Sequence, residues 1–151
     1  MFAVQLAHLR GGYVITTVSG QDRHFAKQLG ADEVVDYKLT RFEQEVRNID
    51  VVFDGVGGDT LNRSWSVLKP GGRMITIAAD SEATADQRVK DAFFIVEPDQ
   101  KQLMEIAKLL DDGHLKTFVK STVPLDQASA SYSGALNNSS RHGKIVIAVS
   151  A

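Results

Sequence analysis

The sequence contains no cysteine, only three prolines and a single tryptophan. Without cysteine the protein can form no disulfides, thiol nucleophile or thiolate metal site. No apolar run approaches the roughly 20 residues that a transmembrane helix needs. The net charge is also small, −2 with a pI of about 6.1. Neither a nucleic-acid surface nor a membrane-binding face is therefore indicated.

Metal-binding and hydrolase motifs are missing as well. The histidines show no ligand spacing such as HxxxH; they are His8, His24, His114 and His142. Serines lie near His142 and Asp126, but no GxSxG elbow occurs. We therefore expect no metal site and no hydrolase chemistry.

The remaining composition is that of an ordinary globular protein. Of the 151 residues, 43 % are hydrophobic and 24 % are charged, which suits one domain over residues 1–151 with a sizeable core. The first four residues lack the basic region and the cleavage site of a signal peptide. We expect a cytoplasmic protein without internal repeats or a linker.

Helical and strand periods alternate along the chain. Helical spacing and glycine stops predict helices over residues 2–9, 22–29, 42–49, 61–68, 98–110 and 124–136. Apolar or β-branched runs predict strands at 13–18, 34–35, 51–53, 74–77, 93–96 and 144–149, with a loop or short irregular helix over 80–91. This alternation predicts an α/β fold: a doubly wound, Rossmann-like parallel sheet with helices on both faces. Unbroken apolar strands suggest burial on both faces.

The first strand of such a fold and its glycine-rich loop are not found in the sequence. Doubly wound nucleotide folds begin with a strand, a glycine-rich turn and a helix that holds the pyrophosphate. This chain opens within a helix, and its glycines at 55, 57 and 58 have the wrong spacing for GxGxxG. The first strand is central in the order 3-2-1-4-5-6, so its loss exposes two facing strand edges. Either another strand, for example from a partner chain, fills that place, or the chain is part of a longer protein.

Five segments resemble the medium-chain dehydrogenase/reductase superfamily, also called the zinc-binding dehydrogenase superfamily. In order they are residues 2–7 (FAVQLA), 29–37 (LGADEVVDY), 52–61 (VFDGVGGDTL), 68–73 (LKPGGR) and 141–146 (RHGKIV). The chain most resembles the cofactor-binding domain of the zinc-free quinone oxidoreductases. That resemblance implies an NADP(H)-dependent enzyme that passes hydride to a quinone, an enone or a similar small-molecule acceptor.

The resemblance also implies parts that this chain does not contain. In the family an N-terminal barrel-like domain supplies most of the substrate pocket, so we expect no catalytic residue here and impaired activity of the isolated chain. Family dimers commonly join through the strand at 93–96, and we expect a homo-oligomer. Two alternatives remain. The chain is a non-catalytic structural or dimerisation fragment, or it is an S-adenosylmethionine-dependent methyltransferase. The methyltransferase is disfavoured because an acidic residue at the end of the second strand is missing.

Cofactor choice is expected to depend on the end of the strand at 13–18. An acidic residue at this position favours the ribose 2′-hydroxyl of NAD, whereas a small residue and an arginine suit the 2′-phosphate of NADP. Here Ser19 stands at the strand end and Arg23 follows four residues later. The alternative is that Arg23 is a solvated residue of the first helical turn. We interpret Asp22 as the cap of that helix.

Further cofactor contacts are expected where the later strands end. By resemblance, Tyr37 lies near the 2′-phosphate and adenine, and Val56 and Gly57 adjoin the adenosine ribose. Ala78 should lie near the nicotinamide ribose. For Tyr37 the alternative is packing at a strand edge, and for residues 55–58 it is a tight turn.

The last expected contacts are nearer the C-terminus. Phe94 and Ile95 occupy the place where family members bind the carboxamide through backbone groups, although they could equally belong to a buried strand. Arg141 and Lys144 resemble basic residues that approach cofactor phosphate. The alternative for both is a pair of charges that flank a turn.

Overall fold

The structure is a computed structural model that describes residues 1–78, 81–133 and 142–149. The chain divides into two compact units, Met1–Gln100 and Lys101–Ala151. The expectation that residues 1–151 form one domain stays a prediction. In the described part of the chain, every helix is too short or too polar to cross a membrane.

The first unit alternates helices and strands. Its strands are β1 (Ile15–Val18), β2 (Glu33–Asp36), β3 (Ile49–Asp54) and β4 (Leu68–Thr76). Its helices are α1 (Phe2–Leu9), α2 (Arg23–Gln28), α3 (Phe42–Glu45), α4 (Gly58–Ser64) and α5 (Gln87–Ala92), with 3-10 turns at Gly20–Asp22 and Trp65–Val67. Glycine ends α2 as expected: Gly30 has φ +102°, a conformation that suits glycine at a helix C-terminus.

All strand pairing in the described residues is parallel. β1 pairs with β2 from Ile15 opposite Glu33 to Val18 opposite Asp36. β3 pairs with β4, with Asp54 opposite Thr76 and a register shift near Ile49. Parallel neighbours require a crossover connection, which α2 supplies in the first pair and α4 in the second. The predicted mixed α/β fold with parallel strands is confirmed.

β1 and β3 each leave one edge unpaired. β1 pairs only with β2, and β3 pairs only with β4, among the residues that the structure describes. The sequence predicts two strands with such free edges on either side of the first-strand position. Their backbone N–H and C=O groups can therefore pair with a further strand.

Three buried clusters form the core of the first unit, and one of them connects the two strand pairs. One cluster is built on Val35 of β2, and Ile15 of β1 and Val52 of β3 pack against it. Val52 also packs against a second cluster, which contains Met74 of β4 and Val89 of α5. The third holds α2 against β2; its buried members are Ala26, Ala31 and Val34. Shared apolar burial therefore connects the two strand pairs without a ladder between them.

An arginine holds the single-turn helix α3 against α4. The Arg63 guanidinium lies 5.0 Å from the centre of the Phe42 ring and donates to Glu43 and Asp59, each at 2.8 Å. Glu43 also accepts from Arg41 at 2.8 Å. Partial burial acts to raise the pKa of Glu43, but hydrogen bonds from its own backbone, Arg41 and Arg63 together lower that pKa below its ordinary value. Glu43 is thus stabilised as a carboxylate.

The expected burial of strands on both faces is wrong for β3. Val52 packs into the core, whereas Val51 and Phe53 are 53 % and 50 % exposed. Successive side chains of a strand point to opposite faces, so the face that carries Val51 and Phe53 is only partly covered. Apolar composition alone did not distinguish the two faces.

Several predicted boundaries are also wrong. α3 ends at Glu45, because Val46 is extended and Asn48 takes a positive φ of 58°. α4 ends at Ser64, and the expected stop at residues 70–72 lies within β4. Residues 93–96 form no strand; Phe93 makes only an isolated parallel bridge to Thr76. At residues 46–49 and 93–96, apolar spacing therefore did not report the backbone conformation.

Helix α6 (Gln100–Asp111) begins at the last residue of the first unit and continues into the second, which also contains β5 (Val119–Pro124), α7 (Ala128–Ser133) and β6 (Lys144–Ala148). β5 and β6 are parallel, and Gly113 follows α6 with φ +71° as expected for its C-terminal stop. A helix over 124–136 is confirmed in part: a 3-10 turn at Leu125–Gln127 precedes α7, and residues 134–141 lie outside the described residues.

Candidate functional site

The carboxyl ends of the four strands in the first unit carry most of the predicted site residues. Because β1 and β2 are parallel, Ser19 and Tyr37 follow their strands at the same end of that pair. For the same reason, residues 55–57 and residues 77–78 lie at the same end of the β3–β4 pair. In open α/β sheets ligands bind outside the carboxyl ends of the strands, so these two strand-end clusters are the candidate site.

The first strand-end cluster contains a serine whose hydroxyl is already engaged. Ser19 is only 4 % exposed, and its Oγ donates to the Asp22 carboxylate. Asp22 stands at the N-cap position of α2, but its side chain makes no capping hydrogen bond. The interpretation of Asp22 as the helix cap is therefore wrong in its chemistry. Arg23, the first residue of α2, is exposed.

A second carboxylate, which is not among the predicted site residues, lies at the same place. The Asp36 side chain, at the end of β2, lies so close to the Gly20 Cα that a side chain at position 20 would collide with it. Its Oδ1 accepts from the backbone N–H of Lys38 at 3.0 Å, and Tyr37 beside it is 57 % exposed. Its position at the end of a predicted strand was the available signal.

A buried polar network ties the ends of β3 and β4 together. Asp54 is 5 % exposed and Thr76 is fully buried. The Asp54 carboxylate accepts from the backbone N–H groups of Val56 and Gly57 and, at 2.8 Å, from the Thr76 hydroxyl. The Thr76 oxygen in turn accepts from the backbone N–H of Ala78 at 3.2 Å. Three predicted site residues, Val56, Gly57 and Ala78, are thus brought together by two residues outside the predicted set.

Gly57 is required here for its backbone as well as for its small size. Its φ of 78° and ψ of −165° lie in a region that is essentially restricted to glycine. Val56 beside it is 72 % exposed. The turn and the predicted ligand approach are therefore compatible explanations of the same glycine.

The remaining predicted residues are more scattered. Phe94 and Ile95 are 47 % and 68 % exposed, so the alternative of an ordinary buried strand is wrong. Lys144 opens β6 in the second unit, where it is exposed and its N–H donates to the Phe118 carbonyl at 2.8 Å. Arg141 lies outside the described residues.

No metal centre is built by the described part of the chain. Nowhere in residues 1–78, 81–133 and 142–149 do three or more His, Cys, Asp or Glu side chains converge as metal ligands. The donor set that zinc prefers, thiolate and imidazole, is therefore not assembled by these residues.

Comparison with known proteins shows the family of the chain that carries these strand ends. Residues 29–147 match the family model described as zinc-binding dehydrogenase. The chain belongs to this family. It is 33 % identical to a probable mitochondrial zinc-binding oxidoreductase of Arthroderma benhamiae, over 84 % of this chain and 42 % of that protein. It is 24 % identical to a mitochondrial NAD(P)H oxidoreductase of Danio rerio, over 98 % of this chain and 46 % of that protein.

The fold agrees with that family. A solved quinone oxidoreductase from Coxiella burnetii superposes with a TM-score of 0.82 at 26 % identity, covering 99 % of this chain and 49 % of that one. This zinc-binding dehydrogenase chain thus has the fold of the Rossmann-like cofactor-binding domains of its family. It spans less than half the length of each of the three proteins compared.

Proposed function

We propose that this chain is the NADP(H)-binding part of an oxidoreductase that transfers hydride to a quinone, an enone or a similar electron-poor acceptor. The proposal rests on the superposition with a quinone oxidoreductase over 99 % of the chain. It is supported by the clustering of predicted site residues at the carboxyl ends of parallel strands. The nicotinamide would supply the hydride chemistry, and the protein would bind and orient it.

The two strand-end clusters would hold different parts of the cofactor. Ser19, Arg23 and Tyr37 at the β1–β2 end are assigned to the adenosine 2′-phosphate and adenine. Val56 and Gly57 are assigned to the adenosine ribose. Residues assigned to the nicotinamide side or to phosphate are Ala78, Phe94, Ile95, Arg141 and Lys144.

The preference for NADP(H) over NAD(H) depends on a balance of charges near Ser19. Arg23 is exposed and can pair with a 2′-phosphate. Asp22 and Asp36 beside Ser19 and Gly20 repel a phosphate and can accept from a 2′-hydroxyl. We propose that the guanidinium outweighs these acids, because it can reach the phosphate directly while Asp22 is engaged by Ser19.

The proposal extends to three features of the whole protein: its acceptor pocket, its self-association and its location. The acceptor pocket and the pyrophosphate loop would come from residues outside this sequence. Self-association would use the exposed apolar segment at 94–96, whose side chains are 47–71 % exposed. A cytoplasmic location stays a prediction, since the two oxidoreductases compared by sequence are named as mitochondrial.

Titration with NADPH and with NADH tests the proposal. Arg23→Ala should weaken NADPH binding by about 1–3 kcal/mol, the effect of losing a charged hydrogen bond, and should leave NADH binding nearly unchanged. Arg10→Ala removes another exposed guanidinium, at the end of α1, and serves as the matched control. If neither cofactor binds, the cofactor proposal is wrong and a non-catalytic structural or dimerisation module becomes the better description.

A further inference from the structure

The buried pair Asp54 and Thr76 joins two strand ends that sequence analysis treated separately. Asp54 Oδ2 lies 3.0 Å from the N–H nitrogen of Gly57 and 2.8 Å from the hydroxyl oxygen of Thr76. Asp54 Oδ1 lies 3.2 Å from the N–H nitrogen of Val56. One carboxylate therefore holds the turn after β3 and the last residue of β4 at the same time.

Thr76 extends this network into the segment after β4. Its hydroxyl donates its proton to Asp54 and accepts from the Ala78 N–H. A hydroxyl group can donate and accept in this way, whereas a methyl group of similar size can do neither. The conformation at residue 78 is thereby coupled to the conformation at residue 57 through two side chains.

Because the network is buried, loss of any of its hydrogen bonds is energetically costly. Asp54 and Thr76 are 5 % and 0 % exposed, so water cannot replace a lost partner. A buried polar group without a partner is costly, and a half-satisfied network is worse than a complete one. Loss of either side chain should therefore change the backbone conformation at the two strand ends as well as reduce their stability.

We propose that Asp54 and Thr76 are positioning residues for the cofactor, which fix the backbone at Gly57 and Ala78 in the conformation that NADPH requires. This inference rests on the proposed function. The proposal gives neither side chain a direct contact with the cofactor, because Asp54 and Thr76 are only 5 % and 0 % exposed. They act by setting the separation between the turn after β3 and the segment after β4, which are assigned to the adenosine ribose and the nicotinamide ribose.

Three variants separate positioning from simple packing. Thr76→Val keeps the volume and removes the hydroxyl, whereas Thr76→Ser keeps the hydroxyl and removes a methyl group. Asp54→Asn keeps the shape but places an amide N–H₂ opposite a backbone N–H or the Thr76 hydroxyl. Ser64→Ala is the matched control: it also removes a buried hydroxyl, which donates to the Thr60 carbonyl within α4, away from the strand ends.

The experiment combines NADPH titration with urea unfolding of the 151-residue chain. We expect Thr76→Val and Asp54→Asn to weaken NADPH binding about tenfold or more, as expected for loss of a hydrogen bond to a charged group. Thr76→Ser should bind within about twofold of the unaltered chain, and Ser64→Ala should lower stability without changing affinity. Equal affinities for Thr76→Val and Thr76→Ser, or equal losses for Thr76→Val and Ser64→Ala, would overturn the inference.

Amide hydrogen exchange tests the coupling without any cofactor. Thr76→Val should speed exchange of the Gly57 amide, although that amide bonds to Asp54 and makes no hydrogen bond to Thr76. Unchanged exchange at Gly57 overturns the coupling even if NADPH binds normally. Failure of the unaltered chain to bind NADPH overturns the proposed function and the cofactor role of the pair with it, whereas a positive exchange result would still identify the coupled strand ends.

Discussion

Gly57→Ala and Gly55→Ala should have opposite effects on stability, although the two glycines lie in one turn. Gly57 has φ 78° and ψ −165°, a region where a side chain costs on the order of 1–3 kcal/mol. Gly55 has no such conformation, and an added Cβ there would meet nothing within 4 Å. Alanine at a compatible glycine position stabilises a protein by about 0.4–1 kcal/mol through the unfolded chain.

The expected difference between these two variants is about 1.5–4 kcal/mol in the free energy of unfolding. Urea denaturation followed by circular dichroism measures this difference directly. NADPH titration should show weaker binding for Gly57→Ala alone, because the strained residue must turn its N–H away from Asp54. If both variants are equally stable, or if Gly57→Ala is the more stable, the argument from backbone conformation is wrong.

Three further predictions concern the core, the pH dependence and the cofactor preference. Phe42→Ala should lower the free energy of unfolding by about 3–5 kcal/mol because Phe42 is buried. Leu39 is 83 % exposed, so Leu39→Ala should change that free energy by less than about 0.5 kcal/mol. Urea titrations of both variants measure the difference. The pKa of Glu43 is lowered from its ordinary value in the folded protein, so its contribution to stability is present above the ordinary pKa of a glutamate and disappears as pH falls through the lower folded pKa. Glu43→Gln should therefore reduce stability at neutral pH and weaken the fall in stability at acidic pH. Asp22→Asn should tighten NADPH binding about fivefold and should not tighten NADH binding, because one screened charge repulsion of about 1 kcal/mol with the 2′-phosphate is removed; equal effects on both cofactors would contradict this.

Sequence patterns predicted the order and type of most elements in the first unit. The β-branched and apolar runs that became β1, β2 and β3 are local signals, and so are the glycines that follow α2 and α6. The family resemblance came from segments spread over nearly the whole chain, and the matched residues 29–147 confirm it. Predictions from such signals were confirmed because the signals depend on residues that are close together in the chain.

Predictions failed where apolar spacing has more than one structural cause. Val46 packs in the core from an extended backbone, so its helical spacing from Phe42 was misleading. Phe93 pairs with Thr76 through a single bridge, although the segment 93–96 has the composition of a strand. Periodicity reports which residues are apolar, and tertiary contacts decide which conformation buries them.

By itself, the sequence determined the fold class, the family and the positions where β1 to β4 end, because these depend on local patterning. Only the tertiary structure decided which polar groups meet at those ends. Asp36 reaches Gly20 across the β1–β2 pair, and Asp54 reaches Thr76 across the β3–β4 pair. Residues 16 or 22 positions apart in the chain become neighbours only when parallel strands pair in one particular register. That register depends on the burial of whole strands, and no short segment encodes it.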